Sequence, residues 1–130
     1  MFRVTHFLAA SFLSAAPLGA QTQAPVPRDT LDAAAYEGWK QCSLACARCH
    51  GEEAQGTSFG PNLLVSLRPD GSVPTREAFV ALLLTGRPDK GMGSAETLGL
   101  APEHIDQVHA YLSGRSEGRF HGGRPARRGT

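Results

Sequence analysis

Three cysteines fall within eight residues, at positions 42, 46 and 49, and His50 follows the last of them. The segment Cys46-Ala47-Arg48-Cys49-His50 constrains this chain more than any other. Two cysteines three apart on a helical turn share a face. Their thiols can add to the two vinyl groups along one edge of a haem. The imidazole of the next residue then reaches the iron, at a height and tilt that the attachment fixes. C-x-x-C-H is the spacing of covalent haem c attachment.

Three other readings compete with it. A zinc site wants a second ligand pair at finger-like spacing; His104 and His109 are five apart on an expected helix and face different ways. A thioredoxin-like redox pair wants a βαβ setting, and none is visible. A plain Cys46–Cys49 disulfide is the remaining alternative for an exported chain. Cys42, one turn before Cys46, is left over, and packing as a small hydrophobe is its expected role.

Export is expected from the start of the 130-residue chain. A short basic opening, MFRVTH, leads into the uncharged run FLAASFLSAAPLGA, which ends in small residues before Gln21. This reads as a signal peptide over residues 1–20, cleaved on export to the periplasm. The run is short and broken by Pro17, which counts against a membrane anchor. No later segment is long and apolar enough to span a bilayer. Residues 21–31 read as a flexible leader, 32–114 as one domain, and 115–130 as a basic tail, disordered beyond its first few residues.

About 110 residues support only a small core, so a bulky cofactor would help to hold it. Charge is uneven. Residues 21–114 carry 7 basic and 11 acidic side chains; residues 115–130 carry 5 basic and one acidic. An acidic body without a basic helix is no nucleic-acid-binding domain.

Three helices are expected. The first spans LDAAAYEGWKQCSLACARCH, with Asp29 and Thr30 as capping candidates and a break before the cysteines. The second is TREAFVALLLTGRP, capped by Thr75 and stopped by Gly86 and Pro88. The third is PEHIDQVHAYLSG, opened by Pro102 and ended by Gly114. Long Gly- and Pro-rich loops and no convincing strand make an all-α domain whose loops wrap something.

A second axial ligand has one methionine to draw on, because Met92 is the only one beyond the initiator. It sits in RPDKGMGSA, where flanking glycines allow close backbone approach. His104, His109 and His121 are the alternatives; the first two are expected on a solvated helix face and the third in the tail. Ligation by His50 and Met92 raises the potential of haem iron and fills both axial sites. That leaves one-electron exchange. A chain whose Met92 stayed off the iron would instead be a haem enzyme or a gas or peroxide sensor.

Phe59, Leu63, Leu64, Phe79, Leu83, Leu98, Ile105 and Leu112 are candidates for the pocket wall. Trp39 reads as core or wall packing. Arg48 reads as a solvated side chain by default, with a haem propionate as its alternative partner; Lys90 is a candidate for partner docking, and Glu52 and Glu53 read as surface charges.

Together these residues resemble the class I c-type cytochromes over roughly Tyr36 to Gly114. The resemblance implies a cytochrome c-like fold around one covalent haem c. It assigns Cys46 and Cys49 to the thioethers, His50 to the proximal ligand and Met92 to the distal one. It assigns Pro61, in Gly60-Pro61-Asn62-Leu63, a carbonyl that accepts a hydrogen bond from the ligand imidazole. It places Gly38 where the first helix crosses the last, against Val108 and Tyr111. Cys42 stands where the family usually has an aromatic, and Gly93 where small bacterial members often have Pro. The stretches YEGWKQCSLACARCHGEEAQGTSFGPNLL, GRPDKGM and YLSGRSEGR look like one subgroup. These are the periplasmic carriers that serve quinoprotein alcohol or methanol dehydrogenases, which use pyrroloquinoline quinone. This subgroup implies a dehydrogenase as donor, with a respiratory protein as the expected acceptor; a monomer is expected, and two filled axial sites imply a carrier rather than an enzyme.

Overall fold

A computed structural model describes residues 29–128. The expected signal peptide and most of the expected leader lie outside the described residues. Five helices carry the fold: α1 (Ala33–Ala45), α2 (Ala47–His50), α3 (Leu63–Ser66), α4 (Arg76–Thr85) and α5 (Pro102–Ser116). Two-residue strands β1 (Thr30–Leu31) and β2 (Ala126–Arg127) pair in parallel. The all-α expectation holds, with α2 and α3 as short additions to the three expected helices.

The cap of α1 differs from expectation. Asp32, rather than Asp29 or Thr30, accepts the Ala35 N–H at 2.8 Å. Thr30 is instead part of β1, and Asp29 binds the tail. The expected break falls at Cys46, which separates α1 from α2. Gly51, at φ +80°, then ends α2. Asn62 caps α3 by accepting from Leu64 and Val65 N–H. Helix α4 has Thr75 as its cap and Gly86 at its end, both as the sequence predicts.

Helices α1 and α5 cross at Gly38. A Cβ there would run into the Gln107 carbonyl and lie 3.0 Å from Tyr111 Cβ. The glycine lets two backbones approach more closely than any side chain allows. Val108 and Leu112 are fully buried beneath this crossing. Leu31 and Leu100 extend the core to either side.

Two expectations fail at the C-terminus. Gly114 does not end α5, which runs on to Ser116. It is small because the Phe120 ring lies where a Cβ would be. The tail is also ordered through residue 128. Ala126 N–H donates to the Asp29 carbonyl and Arg128 N–H to the Leu31 carbonyl. Asp29 also accepts from the His121 backbone N–H. Residues 117–128 thus form a strap that closes back on the start of the domain.

Glu53 and Arg115 explain why the strap holds. Arg115 is buried, with Nη1 3.1 Å from Glu53 Oε2 as an ion pair not aligned as a hydrogen bond. The same guanidinium donates to Tyr111 OH and to the Glu53 carbonyl. Glu53 Oε1 accepts the Gly123 N–H at 2.9 Å. Glu53 is therefore an anchor rather than a plain surface charge, and Arg115 is no part of a solvated tail.

Candidate haem site

The site is built around a histidine on the last turn of α2. His50 is buried, and its Nδ1 lies 2.8 Å from the Pro61 carbonyl oxygen. A carbonyl only accepts, so Nδ1 carries a proton, and Nε2 is the nitrogen left to face a ligand. The intervening loop is fixed at both ends. Gly56 N–H donates to the His50 carbonyl, and Leu63 N–H to the Ala54 carbonyl. Gly60 lies flat against the ring, where a Cβ would sit 2.8 Å from Nδ1.

His50 opens onto a cavity of about 440 Å³. That volume is within the range of ~300–1,000 Å³ usual for cofactor and ligand pockets. Cys46, Cys49, Pro61 and Met92 line the same space, so every residue singled out for cofactor binding meets there. His104, His109 and His121 do not line it. His104 Nδ1 is hydrogen-bonded to Gln107 at 2.6 Å, and His121 lies beside Asp29. His109 is half-buried, its ring 5.2 Å from Phe79, rather than on a fully solvated face. Burial pushes its imidazole below the ordinary histidine value.

Met92 is placed by backbone geometry. Arg87 N–H donates to the Met92 carbonyl at 2.8 Å, and Met92 N–H to the Arg87 carbonyl at 3.0 Å. A single 3-10 turn, Pro88–Lys90, joins the two. Of the flanking glycines, Gly91 supplies a left-handed φ of +76°. The tightest approach belongs to Gly86 instead, where a Cβ would lie 2.7 Å from the Met92 carbonyl oxygen.

Six of the eight wall candidates line the cavity: Phe59, Leu63, Phe79, Leu83, Leu98 and Leu112. Ile105 is buried in the core instead, and Leu64 is partly buried against it. Val73, Leu82, Leu100 and Arg87 also line it and escaped the sequence reading. Leu82 and Phe79 are three apart on α4, a signal that was there to use. Trp39 faces elsewhere, tilted on Tyr36 at 5.4 Å and beneath Arg124. Arg48 is exposed and off the cavity wall.

All three thiols are free. Cys42 is buried, as expected for a packing residue. The Cys46 sulfur beside it, and its burial, push its thiol well above the ordinary range. Cys46 and Cys49 are the two thiols that line the cavity. Among the described residues, no three His, Cys, Asp or Glu side chains converge on a metal position of zinc type. Paired thiols, a single-nitrogen ligand, a thioether and an apolar wall fit haem c as a group.

An all-α chain wrapped on such a cavity has the architecture of a haem-binding protein. No family model matches the chain. Cytochrome c-555 of Methylococcus capsulatus (Bath) is 35% identical over 107 residues, covering 82% of this chain and 81% of that protein. Cytochrome c-553I of Paracoccus denitrificans is 27% identical over 106 residues, and this chain spans 44% of its length. The crystal structure of c-type cytochrome XoxG from Methylobacterium extorquens AM1 matches with a TM-score of 0.67 at 21% identity. That match covers 78% of this chain and 63% of the other, and it shows the fold alone. The chain belongs to the class I c-type cytochromes. It carries covalent haem c and acts as a monohaem electron carrier.

Proposed function

We propose that the chain is an exported, periplasmic carrier that takes single electrons from a quinoprotein alcohol dehydrogenase and passes them to a respiratory acceptor. In this reading Cys46 and Cys49 would form the thioethers, and His50 and Met92 would hold the iron. The observation that carries the ligand set is the convergence of all four side chains on one cavity. The donor rests on the subgroup pattern around GRPDKGM and YLSGRSEGR, and export rests on the signal-like first 20 residues.

Haem c supplies an Fe(III)/Fe(II) couple, and the chain tunes and guards it. The Pro61 carbonyl accepts a hydrogen bond from the Nδ1–H of His50, which orients Nε2 and strengthens it as a ligand. Met92 raises the potential relative to a second nitrogen ligand. Phe79, Leu83 and Leu112 exclude water and so disfavour the extra positive charge of the ferric state. With His50 and Met92 both holding the iron, the chemistry would reduce to gain and loss of one electron, without a substrate bond made or broken. Phe59, 83% exposed at the cavity, and Lys90, exposed on the same cavity wall, offer a small docking surface. Redox encounters of this kind are small and lean on charge for steering.

The test mixes oxidised holoprotein with a substrate-reduced quinoprotein alcohol dehydrogenase and follows haem reduction by stopped flow. Reduction that saturates with cytochrome concentration and weakens with salt is the expected result. Reduction no faster than that of an unrelated c-type cytochrome would remove the proposed donor. A peptide map of the exported protein should show the haem adduct on the peptide holding Cys46 and Cys49, with residues 1–20 absent.

A further inference from the structure

The wall of the cavity carries charge of one sign. Arg87 and Lys90 line it, and among the described residues no Asp or Glu does. Neither cation belongs to any of the ion pairs among the described residues. Arg87 is half-buried. A guanidinium held against an apolar wall without an anion costs free energy that a bound carboxylate would offset.

Backbone geometry sets where these cations point. Arg87 and Met92 face each other as antiparallel partners. Residues opposite one another in such a pair send their side chains to the same side. Arg87 therefore shares the direction of Met92. Lys90 follows at i+3 across the 3-10 turn, with its N–H donating to the Arg87 carbonyl. Lys90 lines the same cavity as Arg87. Asp89, on the same turn, does not reach the cavity.

Haem brings two propionate carboxylates on the edge away from its vinyl groups. We propose that Arg87 binds a haem propionate, with Lys90 as the more exposed second cation. Arg87 thus takes the part that the sequence offered to Arg48. The proposal rests on the reading that this cavity holds the haem through Cys46 and Cys49. The planar fork of Arg87 suits a carboxylate bidentately, as lysine does not. Its charge also offsets the propionate, which otherwise favours Fe(III). One residue would then tie the Met92 loop to the cofactor edge and raise the potential.

The test compares holoprotein carrying Arg87→Gln, Arg87→Lys and, as a control, Lys40→Gln. Lys40 is paired with Glu37 at 2.6 Å and does not line the cavity. Potentials come from spectroelectrochemistry, and the propionate contact from the propionate bending bands in resonance Raman spectra. Arg87→Gln should shift the Fe(III)/Fe(II) ratio at fixed poise about tenfold toward ferric, ~59 mV for one electron. It should also move a propionate band. Arg87→Lys should keep most of the potential yet still move that band, and Lys40→Gln should move neither. If Arg87→Gln does not load haem, the band position in Arg87→Lys decides. Wild-type propionate bands in the Arg87 variants overturn the proposal, whether or not the potential changes. Failure of the site reading itself would show separately, as wild-type protein without a haem adduct at Cys46 and Cys49.

Discussion

His50 presents one nitrogen to the cavity because the other is already engaged. The Pro61 carbonyl holds Nδ1 at 2.8 Å, and Gly60 leaves just enough space for the ring beside it. Replacing Gly60 with alanine puts a methyl group 2.8 Å from Nδ1. The ring must turn, and the bond to Pro61 weakens. Overpacking of this kind costs about 1–3 kcal/mol. Gly60→Ala should therefore lower the urea midpoint of the holoprotein. It should also raise the reduction potential, because a less basic imidazole stabilises Fe(III) less well. A shifted urea midpoint with an unchanged potential would mean that the Pro61 contact does not tune the ligand. The Pro61 contact was legible in the sequence through the Gly60-Pro61-Asn62-Leu63 resemblance. The need for Gly60 itself was not, since it depends on which ring lies across the loop.

At the scale of elements, the α1–α5 crossing and the strap are held by different forces. Gly38→Ala gains up to ~1 kcal/mol of helix propensity. Against that stands the Gln107 backbone carbonyl, which cannot move without moving α5. The clash dominates, and a net loss of about 1–3 kcal/mol is expected by urea denaturation. The strap depends on Asp29, whose carboxylate accepts the His121 backbone N–H and lies 3.1 Å from its imidazole. The backbone bond first, then the side chain, holds Asp29 below its ordinary 3.8. A depressed folded value means stabilisation that is complete above about pH 4 and lost as pH falls through the folded value. Amide exchange at Ala126 and Arg128, referenced to the α5 core amides, should therefore rise below pH 4 in the wild type. In Asp29→Asn it should already be raised at pH 7 and lack this acid step; protection unchanged by the substitution would contradict the role of Asp29. Thr75, Gly86 and Pro102 show how readable the helices were, because caps and stops act within a few residues. The strap was hidden because Glu53 meets Arg115 and Gly123 across more than 60 residues. No local pattern distinguishes such an arginine from a solvated one.

Across the whole molecule, a thin core, a large apolar cavity and a closing strap make one arrangement around a cofactor. The acidic body and basic tail look separate in the sequence, yet the fold brings Arg115 to Glu53 and Arg124 over the Trp39 ring. The cavity is the part of the fold that C-x-x-C-H made most legible. Its charged wall was least legible, because Arg87 reaches it only through pairing with Met92. If His50 and Met92 both ligate the iron, which is the central claim, the absorption spectrum of the oxidised holoprotein reports it most directly. Wild-type protein should show the weak far-red band of a methionine–iron bond. Met92→Ala should lose the band and, when reduced, bind CO readily. A wild-type protein that lacks the band and takes up CO when reduced would contradict the claim.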